Sequence, residues 1–188
     1  MLNHKGTQVI ETRRLILRRF TVADAPAMYR NWASDPEVTK FLTWQPHSSV
    51  EATATLLAAW VESYKEESTY QWAITLREHS GEPIGSISVV SINEAIYAAE
   101  IGYCLGKSWW HRGIMSEALQ GVIDYLFDEV GMNRICALHD SNNPHSGAVM
   151  RKCGMQYEGT LRQSTRSNQG ITDACHYAIL ATDRRNVK

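Results

Sequence analysis

The sequence predicts an α+β fold built on a mixed, mostly antiparallel sheet of about seven strands flanked by helices. Three observations carry that expectation. Strand-like apolar runs recur from Arg14–Phe20 to Ala174–Thr182. Two stretches, one opening at Ser49 and one over Ser116–Val130, place their apolar residues at helical spacing. Turn residues separate paired strand segments in at least two places, as hairpins require.

Taken in order, Arg14–Phe20 reads as the opening strand, and Thr21-Val22-Ala23-Asp24-Ala25-Pro26 has the cap chemistry of a helix start running to about Ala33. After Asp35-Pro36 a short segment leads to Thr43-Trp44-Gln45-Pro46. Ser49 then caps a second helix carrying Leu56, Leu57, Trp60, Val61 and Tyr64. Tyr70–Leu76 and Ile84–Ile92 form a hairpin across Ser80-Gly81-Glu82-Pro83, and Ile96–Leu105 is a third strand of the same group. In the helix Ser116–Val130, Ala118, Leu119, Val122, Ile123, Leu126 and Phe127 share one face, and Gly131 ends it. Arg134–His139 is a strand and Asn143–Cys153 a helix. Gln156–Ser164 and Ala174–Thr182 close the sheet across Asn168-Gln169-Gly170.

Composition narrows the function. The 188 residues suit one well-buried core, so a single domain over residues 1–188 is expected. Hydrophobic residues make up 44% and charged residues 21%, and no apolar run approaches the roughly 18 needed to span a bilayer. Met1-Leu2-Asn3-His4-Lys5-Gly6 lacks a secretory apolar region, so a cytoplasmic protein without a membrane partner is expected. Cys104, Cys136, Cys153 and Cys175 are too scattered for a zinc cluster or a disulfide framework. His111, His139 and His145 fit no zinc spacing either, and no metal is expected. The net charge is −1 and the 19 basic residues form no long run, which argues against nucleic acid as a partner.

An anionic ligand must therefore be gripped locally, and one stretch is built for that. In Tyr103-Cys104-Leu105-Gly106-Lys107-Ser108-Trp109-Trp110-His111-Arg112-Gly113-Ile114-Met115-Ser116, a strand feeds a basic, glycine-containing loop that enters an amphipathic helix. Unpaired N–H groups and the helix dipole favour a phosphate there, Gly113 permits close approach, and Arg112 adds a charged donor. Neither a Walker-type P-loop nor a dinucleotide fingerprint is present. A second motif is Asn143-Pro144-His145-Ser146-Gly147-Ala148-Val149-Met150-Arg151-Lys152-Cys153-Gly154-Met155. Asn143 and Pro144 fix a helix start and place Ser146 in its first turn.

Together the two motifs resemble those of the GNAT superfamily of acetyltransferases, in the branch that acetylates N-terminal amines of ribosomal proteins. Trp110-His111-Arg112-Gly113-Ile114-Met115 resembles the family's Gln/Arg-x-x-Gly-x-Gly/Ala loop, with Trp110 and Met115 as departures. The resemblance runs from Glu11-Thr12-Arg13-Arg14-Leu15 to the last strand. It implies a GNAT fold with a splayed parallel strand pair, acetyl-CoA as co-substrate, and transfer by direct attack in a ternary complex. It further implies cofactor contacts at Tyr103, Cys104, Leu105, His111, Arg112, Gly113, Ile114, Met115, Ser116 and Asn143. Ser146 is the implied proton donor to the thiolate. Glu100 is either the base or a structural hydrogen-bonding group; if it is buried, its apolar neighbours would raise its pKa. Ser164 and Thr165 offer no alternative acid after Glu158-Gly159-Thr160-Leu161-Arg162.

Among the tryptophans, Trp44 is the candidate acceptor-pocket residue, while Trp60 and Trp72 are expected in the core. Three functions remain: acetylation of a peptide N-terminus, acetylation of a small amine such as a polyamine or aminoglycoside-like drug, and a non-catalytic acyl-CoA-binding module. The acidic run Glu62, Glu66, Glu67 is the one hint of a polycation site. The acceptor amine is the expected partner, and monomer and homodimer both stay open.

Overall fold

Alternating side chains set the first strands. In Leu15–Arg18 (β2), Leu15 and Leu17 are fully buried while Ile16 and Arg18 are half-buried, and the two-residue strand Ile10–Glu11 (β1) pairs antiparallel beside it. The computed structural model that shows this describes residues 1–78 and 81–185. Gln71–Leu76 (β3) has buried residues on both faces, because Trp72 and Ile74 meet one apolar layer and Ala73 the other. Pro83–Asn93 (β4) runs antiparallel to β3 and to Ala98–Leu105 (β5). A Cβ at Gly85 would lie 2.5 Å from the Cys104 carbonyl oxygen, so this crossing of β4 and β5 requires glycine.

Arg134–Asp140 (β6) pairs parallel to β5, Gly170–Leu180 (β8) pairs antiparallel to β6, and Gln156–Ser167 (β7) lies at the edge. The eight strands follow the order β1-β2-β3-β4-β5-β6-β8-β7. The parallel ladder is short: it registers Ala98 with Arg134, Ala99 with Ile135 and Glu100 with Cys136, although β5 continues to Leu105 and β6 to Asp140. Beyond Glu100 the pair splays.

The helices cover both faces. Ala25–Met28 (α1) continues as a wider turn through Ala33, closed by Ser34 N–H donating to the Tyr29 carbonyl at 3.2 Å. Pro36–Thr39 (α2) is capped by Asp35, and Val50–Ser63 (α3) by Ser49, whose Oγ accepts from Ala52 N–H at 3.2 Å. Ile114–Tyr125 (α4) buries Ile114, Met115, Ala118, Leu119, Val122 and Ile123 against the main core, and Gly131 (φ 84°) stops the wider turn that follows it. Pro144–Lys152 (α5) joins α4 on that face, while α1 and α3 cover the other. Among the described residues no helix is long and apolar enough to cross a membrane.

The α+β architecture with its parallel pair is as the sequence predicts; the differences are local. β1 takes the strand count to eight because two residues suffice to extend the edge. The third strand begins at Ala98 rather than Ile96, since Glu94–Ile96 forms a tight turn and Tyr97 adopts φ 53°. α4 starts at Ile114 rather than Ser116, and Pro36 opens the short α2 where only a connecting segment was expected. The closing strands extend to Ser167 and start at Gly170, and the last one ends at Leu180, where Ala181–Arg185 (α6) begins. In the turn before Pro83, Ser80 lies outside the described residues.

Where β6 ends, Asp140 is 4% exposed and accepts hydrogen bonds from Asn142 N–H (2.9 Å), Asn142 Nδ2 (3.0 Å), the Thr172 hydroxyl (2.8 Å) and the Ser167 hydroxyl (2.9 Å). Burial pulls its pKa up, but these donors outweigh burial and hold it below the ordinary carboxylate value. Its stabilising contribution is therefore complete above the unfolded value of about 3.9 and lost as pH falls through the lower folded value. Asp140→Asn should lose about 1–3 kcal/mol at pH 7. Its melting temperature should also fall less steeply than the parent's between pH 5 and pH 3. Thermal denaturation across that range checks both, and equal acid sensitivity would remove Asp140 from this role.

Candidate active site

The anion loop is shaped by its aromatic residues. After β5, Gly106 turns the chain where a Cβ would meet the Asn31 carbonyl oxygen at 2.5 Å, and Trp110 Nε1–H donates back to the Leu105 carbonyl at 2.7 Å. His111 (φ 59°) and Gly113 (φ 70°) then reverse the backbone so that α4 begins immediately. The first N–H of α4 to find a helical partner is that of Glu117, which donates to the Gly113 carbonyl at 3.1 Å. Those of Ile114, Met115 and Ser116 are left at the positive end of the dipole.

Cations surround that opening. A Cβ on Gly113 would sit 3.4 Å from Lys152 Nζ and 3.6 Å from an Arg14 guanidinium nitrogen. Arg14 also donates to the Arg112 carbonyl at 3.0 Å and to Glu117 at 2.6 Å, bracing the loop against the helix. His111 and His145 meet edge-on with ring centroids 5.0 Å apart, joining the loop to the start of α5. A cleft of ≈ 380 Å³ runs from here between α4 and α5 to Tyr103, Cys104, Asn143 and Ser146.

On the inner side of the sheet, Gly106 N–H donates to the Ile84 carbonyl at 2.9 Å. Antiparallel alternation then turns the main-chain groups of Cys104 and Gly102 toward β4, and those of Tyr103 and Leu105 toward the splay. Oriented N–H groups thus face the gap. The Tyr103 hydroxyl lies 3.0 Å from both the carbonyl oxygen and Oγ of Ser146. Burial raises the Tyr103 pKa far above neutrality, so the phenol keeps its proton. Asn143 occupies the N-cap position of α5, yet its side chain makes no capping bond, contrary to the usual role of asparagine there. The residue lines both the cleft and the cavity beyond it.

A larger cavity of ≈ 710 Å³ opens on the other side of the splay and shares Phe41, Leu42, Tyr103, Cys104, Asn143 and Ser146 with the first. Glu100, half-buried, lines it at the point where the β5–β6 ladder ends. Among the described residues no side chain hydrogen-bonds or ion-pairs with Glu100, so the structural alternative gains no partner. Trp44 lines this cavity. Trp60 does so too, half-buried against Phe20 at 5.2 Å, which corrects its assignment to the core. Trp72 is fully buried in the core as expected. Glu62, Glu66 and Glu67 are exposed and do not line this cavity.

The structure thus gathers every sequence-predicted site residue around one seam except Arg112, which is exposed beside the anion loop with its carbonyl held by Arg14. Arg14 and Lys152 went unrecognised. Arg14 sits in the opening strand segment with no local pattern to mark it, whereas Lys152 belonged to the second motif and its late helical position was the available signal. Among the described residues no group of three or more His, Cys, Asp or Glu side chains could hold a metal ion.

Comparison with known proteins adds to this geometry. The profile of the acetyltransferase (GNAT) domain family matches residues 14–156. The uncharacterised N-acetyltransferase YoaA of Bacillus subtilis is 33% identical over 172 residues, covering 92% of this chain and 96% of that protein. The ribosomal-protein-serine acetyltransferase of Escherichia coli is 35% identical over 97 residues, covering 52% of this chain and 54% of the enzyme. Among solved structures, RimL, a ribosomal alpha-N-protein acetyltransferase in complex with coenzyme A, superposes with a TM-score of 0.82 at 24% identity, covering 92% of this chain and 98% of that one.

Lys152→Ala should weaken coenzyme A binding roughly five- to tenfold at low ionic strength, with the deficit shrinking as salt rises, because the lost contact is an exposed charge. Isothermal titration at two salt concentrations measures this, and unchanged affinity at low salt would take Lys152 out of the phosphate cradle.

Proposed function

The chain belongs to the acetyltransferase (GNAT) domain family and is an acetyl-CoA-dependent N-acetyltransferase, and on that premise we propose that its acceptor is the N-terminal α-amine of a protein, a ribosomal protein being the class that two relatives' names suggest. The observation that carries this reading is the seam at Tyr103, Asn143 and Ser146, where a cleft for the coenzyme and a separate cavity for the acceptor meet. Such an arrangement suits direct attack of an amine on a thioester held in the splay.

The chemistry follows from the residues at the seam. The pantetheine arm enters between α4 and α5, and the phosphates rest on the cradle at His111 to Ser116. The amine nitrogen forms a bond to the thioester carbonyl carbon, and the carbonyl oxygen takes up negative charge facing the N–H groups of Tyr103 and Leu105. The C–S bond then breaks. Glu100, directly or through water, removes the proton from the attacking nitrogen, and Ser146 Oγ–H gives its proton to the departing thiolate and is reprotonated from solvent. Tyr103, kept protonated by burial, donates its one proton to the Ser146 carbonyl at 3.0 Å, and its oxygen, 3.0 Å from Ser146 Oγ, anchors the serine at the seam. Cys104 lies at the same seam, but burial pushes its thiol up to about 11, so it is no ready acyl carrier and a direct transfer is favoured over an acyl-enzyme.

An α-amine also fits the modest base available. Its ordinary pKa of about 8 makes the neutral form cheaper at pH 7 by about 3 kcal/mol than for a lysine amine near 10.4. A polycation would call for several free carboxylates. Asp140 is already satisfied by its hydrogen bonds, and the exposed acidic run lies elsewhere, which leaves Glu100 alone to receive one ammonium group.

Incubation with acetyl-CoA, a panel of peptides, polyamines and aminoglycosides, with mass spectrometry of each acceptor, tests the reading: acetylation of peptide α-amines with lysine side chains untouched is expected. Acetylated polyamine or drug with untouched peptides would overturn it. Ser146→Ala should lower kcat roughly 100-fold while leaving coenzyme A affinity within about twofold. Glu100→Gln should lose most activity near pH 7 and recover part of it as rising pH deprotonates the amine without help. Full turnover in both variants would remove their catalytic roles.

A further inference from the structure

The acceptor cavity is divided by chemistry. Its polar lining comes from the strands and α5, where Ser86, Ser88, Glu100, Asn143 and Ser146 face the seam. Its apolar lining comes from the layer on the opposite side: Met28 of α1, Phe41, Leu42 and Trp44 of the loop after α2, and Leu56 and Trp60 of α3. Trp44, Leu56 and Trp60 pack directly on the second core cluster, so this wall extends a hydrophobic core. It also carries no charge from His47, whose pKa burial lowers and whose Nδ1 is held by the Thr53 hydroxyl at 2.8 Å beside the Trp44 ring.

The wall is fixed in place. At the tip of the β7–β8 hairpin, Asn168 N–H donates to the Leu42 carbonyl (3.1 Å), and its Nδ2 donates to the carbonyls of Thr39 (2.9 Å) and Trp44 (2.8 Å). Gln45 Nε2 donates to Asn168 Oδ1 at 2.5 Å. These four bonds clamp the roof loop to the hairpin, so the cavity does not depend on a ligand to form it. An acceptor with a small first side chain would place its amine by Glu100 and leave the aromatic wall wet.

Resting on the α-amine reading above, we propose that the preferred acceptor is a peptide whose first residue carries a bulky apolar side chain, aromatic or leucine-like, seated between Trp44, Trp60 and Phe41. Discrimination arises because the apolar group displaces water from a wall already in place, whereas serine or alanine does not. Burial of one such side chain is worth about 10- to 100-fold in kcat/KM.

The test uses peptides identical beyond the first residue and beginning with Ser, Ala, Leu, Phe or Trp, each containing an internal lysine, with acetylation followed by mass spectrometry. The Leu and Phe peptides should exceed the Ser and Ala peptides by at least about tenfold in kcat/KM, mainly through KM. Trp44→Ala should shrink that ratio below about threefold with the KM for acetyl-CoA unchanged. Ser or Ala peptides turned over as well as Phe or Leu peptides would overturn this preference while leaving the α-amine reading standing. If no α-amine is acetylated and a polyamine or aminoglycoside is, the α-amine reading falls and the preference with it.

Discussion

The structure turns on the splay of one parallel strand pair. Parallel strands normally continue their ladder for as long as both persist, because every unpaired main-chain group left out of water costs free energy. Here pairing stops at Glu100 and Cys136 while β5 runs five residues further, to Leu105, and β6 four, to Asp140. What holds the gap open is side-chain contact at the start of α5. Tyr103 reaches Ser146, and Gly147 lies so close to His139 that a Cβ there would stand 2.5 Å from Nε2. The helix start thus wedges between strand ends, and the main-chain groups it frees face the seam between the two cavities.

The two sides of that gap differ in the charged groups they present. Toward α4 lie the unpaired N–H groups of the first turn, Lys152, and Arg14 with its partner Glu117, suited to phosphate. Toward the larger cavity lie the carboxylate of Glu100, which has no ion-pair partner among the described residues, and the exposed Arg166. The cysteines do not disturb this arrangement. Burial raises both the Cys104 and the Cys153 thiols to about 11, so they stay neutral where a thiolate would oppose the departing sulfur.

Much of this was legible in the sequence, for a physical reason: local motifs encode local geometry. A strand, a positive-φ glycine and an amphipathic helix placed in succession specify the cradle, and Asn143-Pro144 specifies a helix start with Ser146 in its first turn. What was not legible depends on contacts remote in sequence. Arg14 reaches the cradle across 98 residues to the Arg112 carbonyl, and Tyr103 meets Ser146 across 43. Trp60 has the spacing of a core residue and packs like one on Phe20, yet it stays half-buried and lines the cavity, a distinction that periodicity does not record. Asn143 shows the converse: its type and position announce a capping side chain, yet its side chain makes no capping bond and the residue lines the cleft.

The hairpin at the sheet edge explains how two ligand spaces keep a common geometry. Its adjacent residues Ser167 and Asn168 act in different directions. Ser167 donates to Asp140 at the end of β6, three residues before Asn143, while Asn168 grips the roof loop that carries Trp44. Ser167 is buried and its partner Asp140 is saturated with donors, so this link lies among the rigid parts of the molecule. The aromatic wall of the larger cavity and the helix start that carries Ser146 are consequently referenced to one two-residue point. A displacement of that point would move the aromatic wall relative to Ser146, and transfer chemistry tolerates little such misplacement.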